Sequence, residues 1–127
     1  MNIVAALFID EINLRQLPGP STRIDLTGIQ FSAVASNATP LTINPHLVVI
    51  IHCPSNESGF GALEVTYWRK NKQIARNVQP LQVDPGKFNY RLVRAELDFN
   101  DYGTIEARAR VDEGATVVVP YTLLPPI

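Results

Sequence analysis

The sequence predicts an all-β fold, a two-sheet antiparallel β-sandwich of about seven to nine strands. Ten prolines and seven glycines divide the 127 residues into short segments, and no segment shows a long apolar repeat of about 3.6 residues. Near the C-terminal end, a tight corner precedes a strictly alternating strand, a turn and a return strand. This order is typical of the last hairpin of an antiparallel sandwich.

The corner lies at residues 100–103, Asn-Asp-Tyr-Gly. Asp101 can accept hydrogen bonds from backbone N–H groups two residues on, and Gly103 can adopt angles that other residues avoid. Alternate residues beyond the corner are apolar and charged, which indicates one face in a core and one in water. A short connection over 112–114 follows, with Gly114 free to take a positive φ. The residues expected in the core are Ile105, Ala107, Ala109 and Val111.

Earlier segments predict the other strands. The run over 46–53 is hydrophobic on both faces, as expected of a central strand covered on both sides. Within the strand predicted over 22–35, Gly28 marks a bulge where the alternation changes phase. The remaining strands are expected at 2–14, 63–68, 73–76, 88–99 and 117–124, with turns at 17–21, 70–72 and 84–87.

Composition restricts the class of protein. The net charge of −1 argues against a general nucleic-acid or anionic-membrane surface. Cys53 is the single cysteine, which fits a reducing compartment better than secretion. The apolar start at 3–9 has no preceding basic residue and meets Asp10 at once, unlike a signal peptide. We expect one cytoplasmic domain over 1–127 that binds neither nucleic acid nor membrane.

Residues that could carry chemistry are few. His46 and His52 lie six apart, on one face of a continuous strand, and Cys53 points to the opposite face. These side chains lack a third ligand of sensible geometry, so no metal or other cofactor is expected. Asp10 and Glu11 are adjacent and would face opposite ways, which does not favour paired-carboxylate catalysis. No nucleophile motif or phosphate loop is present, and we do not expect an enzyme.

The surface feature of most weight is the segment 67–72, in which Trp68 falls on the polar-facing side of its strand beside a basic turn. Aromatic residues on polar surfaces are enriched at interaction sites. A solvated hairpin with a partly covered tryptophan is the plain alternative, and stacking on nucleic acid aided by Arg76, Arg91 and Arg94 is less favoured. The predicted interaction surface comprises Tyr67, Trp68, Arg69 and Val118.

Two resemblances carry further expectations. Asp101, Gly103, Ile105 and Ala107 resemble the Asp-x-Gly-x-Tyr-x-Cys corner of immunoglobulin-like domains, with isoleucine in place of tyrosine and alanine in place of cysteine. Over nearly its full length the chain also resembles a family of small bacterial all-β proteins known only as a domain of unknown function. That likeness implies an immunoglobulin-like sandwich in a cytosolic bacterial protein, and it carries over no catalytic or binding residue. It rests on the segments 5–13, 26–29, 45–46 and 102–123, with Pro120 near the end.

The expected function is a non-enzymatic protein-interaction or self-association module. Residues 3–9, 47–51 and 117–119 are apolar on both strand faces, yet a two-layer sandwich covers one face of each sheet. A homodimer or another protein partner would cover the excess, with the first strand and the strand over 117–124 as candidate contacts. The alternative is a small-ligand or carbohydrate-binding module with Tyr67, Trp68 or Tyr90 as an aromatic platform.

Overall fold

The computed structural model describes residues 1–17 and 22–127, so most of the turn predicted at 17–21 lies outside the described residues. Those residues include no helix long and apolar enough to cross a membrane. They form twelve strands: β1 (Asn2–Ile9), β2 (Glu11–Gln16), β3 (Thr22–Thr27), β4 (Ser32–Val34), β5 (Leu41–Ile43), β6 (His46–His52), β7 (Phe60–Arg69), β8 (Lys72–Gln82), β9 (Phe88–Arg94), β10 (Leu97–Phe99), β11 (Gly103–Val111) and β12 (Val117–Leu124).

The predicted all-β class and the predominance of antiparallel pairing are confirmed. A three-stranded sheet has the order β1-β6-β9, and a five-stranded sheet has the order β4-β12-β11-β7-β8. Two smaller sheets are the β2–β3 hairpin and the β5–β10 pair. The short β4 runs parallel to β12, while the other strand pairs are antiparallel.

The core lies between the inner faces of the two larger sheets, in a sandwich-like arrangement. Phe8 of β1 meets Tyr121 of β12 edge to face, with ring centroids 5.2 Å apart. β6 is the central strand of its sheet, as predicted, and it contributes Leu47, Val49 and Ile51 to the core. The alternation predicted for β11 is confirmed, because its four expected core residues are all buried: Ile105, Ala107, Ala109 and Val111.

The twelve strands exceed the predicted number because several predicted strands are divided and β5 was not expected. The strand expected over 2–14 breaks at Asp10, whose N–H lies 3.1 Å from the carbonyl oxygens of both Thr27 and Gly28. Gly28 has a φ of +67° and packs against the Asp10 side chain with no room for a Cβ. It therefore ends β3, and the prediction of a bulge within one strand over 22–35 is wrong.

Three turns follow the sequence closely, with one difference in detail. Lys70 and Asn71 have φ values of +49° and +64°, which suit the two-residue hairpin between β7 and β8. The turn at 84–87 is closed by a 3.0 Å bond from the Lys87 N–H to the Asp84 carbonyl.

In the β11–β12 turn, the positive φ of +48° belongs to Asp112, not to Gly114. The Asp112 N–H donates to the Ala62 carbonyl at 3.0 Å, and its Oδ1 accepts from the Ala62 N–H at 2.9 Å. These two bonds fix Asp112, a residue type that tolerates the left-handed region.

Replacing Ala107 with aspartate should lower the free energy of unfolding by several kcal/mol, because the charge would be buried without a partner. Ala75 lies across Tyr67 from Ala107 in the same sheet and is exposed, so Ala75→Asp is the matched control. Urea denaturation should show a loss of at most about 1 kcal/mol for the control. Equal losses in the two variants would contradict the burial of Ala107.

Candidate interaction surface

The outer face of the five-stranded sheet is polar and carries Trp68, as its strand parity predicts. The register places Trp68 opposite Glu106 of β11 on one side and Gln73 of β8 on the other. A shallow depression of about 240 Å³ lies on this face. Its lining residues are Glu64, Thr66, Trp68, Gln73, Arg108, Arg110 and Thr116.

Trp68 is already engaged by its neighbours on this face. Its Nε1 donates to the Thr66 hydroxyl at 2.8 Å. The guanidinium carbon of Arg108 lies 4.3 Å from the ring centroid, within the range of a cation–π contact. One face of the indole is therefore covered by Arg108, which restricts stacking by a sugar or a base.

The charged groups beside Trp68 form a paired network. Glu64 accepts from Arg76 at 2.9 Å and from Arg110 at 3.1 Å. The hydrogen bond from Arg76, with the nearby Arg110, lowers the pKa of the Glu64 carboxyl. Arg108 lies 3.4 Å from the carboxylate of Glu106. All three arginines of this network thus have a carboxylate partner, which reduces their attraction for an added anion.

Tyr67 lies on the opposite side of β7, in the core, with 4% of its surface exposed. Within the described residues its hydroxyl is buried and has no hydrogen-bond partner. Burial raises the pKa of Tyr67 to about 12. Tyr67 is therefore not available to a partner or ligand at the surface.

Arg69 holds the corner between β10 and β11. Its Nη2 donates to the carbonyl oxygens of Asp101 at 3.0 Å and Tyr102 at 2.9 Å, and its guanidinium lies 5.6 Å from the Phe99 ring centroid. Gly103 has a φ of +139°, and a Cβ there would come within 3.2 Å of the same Nη2. The corner glycine is thus required by its backbone angle and by the close arginine.

Sequence reasoning missed this role of Arg69. The corner was expected to be stabilised by Asp101 bonding two residues on, and instead its Oδ1 accepts from the next N–H, that of Tyr102, at 2.8 Å. A basic residue at the end of β7 gives no signal that it reaches a corner more than thirty positions away. Only the pairing of β7 with β11 brings the two together.

Of the four residues predicted for the interaction surface, Trp68 and Val118 share a face. Val118 lies opposite Arg108 on the outer side of β12 and is 48% exposed. Tyr90 belongs to β9, in the other large sheet. The structure therefore does not bring Tyr67, Trp68 and Tyr90 together in one aromatic platform.

The two histidines lie at the ends of β6, as predicted, and do not converge with the cysteine. Six residues of extended strand separate His46 from His52 by roughly 20 Å. Cys53 is fully buried in the core, and its thiol lies 3.4 Å from the Pro54 carbonyl oxygen. No group of three or more candidate ligands for a metal ion occurs in the part of the chain that is described.

Comparison with known proteins adds no relative: no family model matches the chain, and no curated protein matches it by sequence. The resemblance to a small bacterial all-β family stays a prediction.

Tyr67→Phe should leave the free energy of unfolding at neutral pH unchanged or raise it by about 1 kcal/mol, because the lost hydroxyl has no partner among the described residues. The pKa of Tyr67 is raised from about 10 in the unfolded chain to about 12 in the folded one. Its contribution to stability is therefore fully present below about pH 10 and is lost as the pH rises towards 12.

Urea denaturation at about pH 9 and about pH 11 measures this linkage. The wild-type chain should lose about 1.4 kcal/mol more than Tyr67→Phe between the two pH values. A large loss in Tyr67→Phe at neutral pH would show instead that the hydroxyl is hydrogen-bonded.

Arg69→Lys should lower the free energy of unfolding by about 1.5–3 kcal/mol, because lysine keeps the charge but ends one atom short of Nη2, the atom that bonds both corner carbonyls. Arg94→Lys, at an exposed position of β9, is the control and should change stability by less than about 0.5 kcal/mol. We call the two bonds from Arg69 to the corner carbonyls the Arg69 clamp. Equal stability of the two variants by urea denaturation would show that this clamp does not stabilise the fold.

Proposed function

We propose that this chain is a non-enzymatic β-sandwich module that associates with a second copy of itself through the outer surface of β12 and β4. The observation that carries this proposal is an apolar strip along that surface. Its members all point away from the core and are exposed, and we call them the β12 strip: Val34, Val118, Pro120 and Leu124.

The β12 strip crosses two strands and is interrupted once. The parallel pairing sets Val34 beside Leu124, while Thr122 lies on the same outer face between Pro120 and Leu124 and shares a 2.8 Å hydroxyl bond with Thr104. Monomeric proteins seldom leave large contiguous apolar patches in water. A patch that pairs with its own copy about a twofold axis covers both copies at once, and such dimers are the commonest oligomers.

The contact is face to face rather than edge to edge. β4 pairs with β12 only at residues 122–124, so the segment 117–121 has β11 on one side and, within the described chain, no strand on the other. Pro120 lies in this segment and has no N–H to donate to an added strand. This placement suits a proline, which within sheets occurs mostly on edge strands.

The use of the carboxylates supports a non-enzymatic role. Asp10 accepts from Gln30, Asp98 accepts from the Thr42 hydroxyl at 2.7 Å, and Asp112 accepts from a backbone N–H. These acids stabilise connections between strands, where a catalytic acid or base would face a substrate.

We also infer the type of sandwich, the number of domains and the cellular setting. The corner with Gly103, followed by the buried alternation of β11, supports an immunoglobulin-like type of sandwich. One core cluster shared by both large sheets supports a single domain over residues 1–127. The buried free thiol of Cys53 supports a reducing, cytoplasmic setting.

Val118→Asp should dissociate the dimer, because it places two charges in the self-contact. Val78 is the matched control, since it is also 48% exposed and lies opposite Glu64 on the same outer face, on the far strand β8. Sedimentation at tens of micromolar should give a dimer for the wild type and for Val78→Asp, and a folded monomer for Val118→Asp. A monomeric wild type, or a Val118→Asp variant of unchanged mass, would overturn the proposal.

A further inference from the structure

The β2–β3 hairpin is amphipathic and lies over the outer face of the three-stranded sheet. Its register sets Leu14 opposite Ile24 and Ile12 opposite Leu26, so these four apolar side chains share one face. The other face is charged, and there Arg15 bonds Asp25 with an Nε–Oδ2 distance of 2.6 Å. A hairpin with this pattern buries its apolar face against another apolar layer.

The sheet beneath the hairpin supplies that layer. On the outer side of β6, Val48 lies between Leu7 and Leu92, and Ile50 lies opposite Tyr90. Both faces of the three-stranded sheet are therefore apolar, and the five-stranded sheet covers only the inner one.

Among the described residues, the cover of this face is tighter near Asp10 than towards Phe88. Near Asp10, where the chain passes from β1 to β2, Ile9 and Val48 are fully buried although neither belongs to the main core. Further along the hairpin, Leu14 is 58% exposed and Phe88 of β9 is 65% exposed. The wedge between the two layers has a volume of about 340 Å³. Its lining residues are Leu14, Ile24, Ile50, Phe88, Asn89 and Tyr90.

A cationic depression adjoins the open end of the wedge. It shares Phe88 and Asn89 with the wedge, has a volume of about 370 Å³, and also contains Lys87, Arg91 and Asp84. Arg91 lies opposite Val49, so it leaves β9 on the inner side and reaches the depression around the edge of the sheet, where its Nη1 donates to the Tyr90 carbonyl at 2.9 Å. The depression thus holds two cations and one carboxylate, and within the described chain neither Lys87 nor Arg91 forms an ion pair.

We propose that the wedge and the depression form one binding site for a free single-chain aliphatic carboxylate. The aliphatic chain lies between Leu14, Ile24 and Ile50 on the outer face, and the carboxylate lies past the edge of β9, near Lys87 and Arg91. The volume of the wedge falls in the range of small-molecule sites, which are mostly apolar with a few convergent polar groups. The excess positive charge at one end selects an anionic head group.

This site is independent of the proposed dimer. The wedge lies on the outer face of the three-stranded sheet, whereas the β12 strip lies on the outer face of the five-stranded sheet. Ligand binding should therefore survive in Val118→Asp, and a failure of either proposal leaves the other standing.

Titration of the isotope-labelled full chain with sodium decanoate, followed by backbone amide NMR shifts, tests the site. Decanoate should give saturable shifts centred on residues 24, 50 and 90, and should bind roughly tenfold more tightly than octanoate because two more methylenes are buried. Decyltrimethylammonium, with the same chain length and a cationic head, should bind at least tenfold more weakly. Equal binding of the two head groups, or shifts spread over the whole surface, would overturn the assignment.

Variants separate the two halves of the site. Ile24→Asp should abolish decanoate binding, while Ile74→Asp, at an exposed isoleucine of β8, should leave it unchanged. The double variant Lys87→Glu, Arg91→Glu changes one residue just before β9 and one within it. It should weaken decanoate binding at least tenfold and strengthen binding of the cationic amphiphile. Unchanged decanoate affinity in this double variant would refute the head-group contact.

Co-sedimentation with lipid vesicles distinguishes binding of a free ligand from binding to a lipid surface. The chain should not co-sediment with phosphatidylglycerol vesicles under conditions in which decanoate shifts the wedge residues. Co-sedimentation without decanoate shifts would show that the apolar face meets a membrane, and would overturn the proposal of a free carboxylate.

Discussion

The two-sided apolar character of β6 is the constraint on which the rest of the structure depends. Leu47, Val49 and Ile51 face one way while Val48 and Ile50 face the other, so both faces of the three-stranded sheet need cover. The five-stranded sheet covers the inner face. The chain then folds back at Asp10 and uses the β2–β3 hairpin for the outer face. Within the described residues this cover is incomplete, and it leaves the wedge between the hairpin and β9.

The five-stranded sheet differs from the three-stranded one in that only its inner face is apolar throughout. Its inner face completes the core, and its outer face is polar in the middle, where Glu64 bonds Arg76 and Arg110. Exposed apolar side chains lie towards its borders on β4, β12 and β8, and Phe60 is exposed at the start of β7. Because exposed ion pairs add little stability, the main effect of this network is to keep the centre of the face polar and hydrated. Any association through this sheet is thereby directed to its borders.

Arg69 shows how a charged residue can act inside such a fold. Its bonds to the carbonyls of Asp101 and Tyr102 join the end of β7 to the corner before β11, and Phe99 packs beneath its guanidinium. The same strand carries Tyr67 into the core and Trp68 to the surface. Three consecutive residues thus serve three separate environments, because successive side chains of a strand alternate in direction and the strand ends where the corner begins.

The sequence by itself determined the all-β class, the alternation of β11, the central position of β6 and the turns at 70–72 and 84–87. These features depend on residues close together in the chain, where strand period and turn chemistry act directly. Only the tertiary structure decided where long strands break, as at Asp10, and which distant groups meet. The contact of Arg108 with Trp68, the Arg69 clamp and the wedge beside Tyr90 all depend on pairing between segments far apart in sequence. Local patterns do not contain that register, because it is set by the packing of whole sheets.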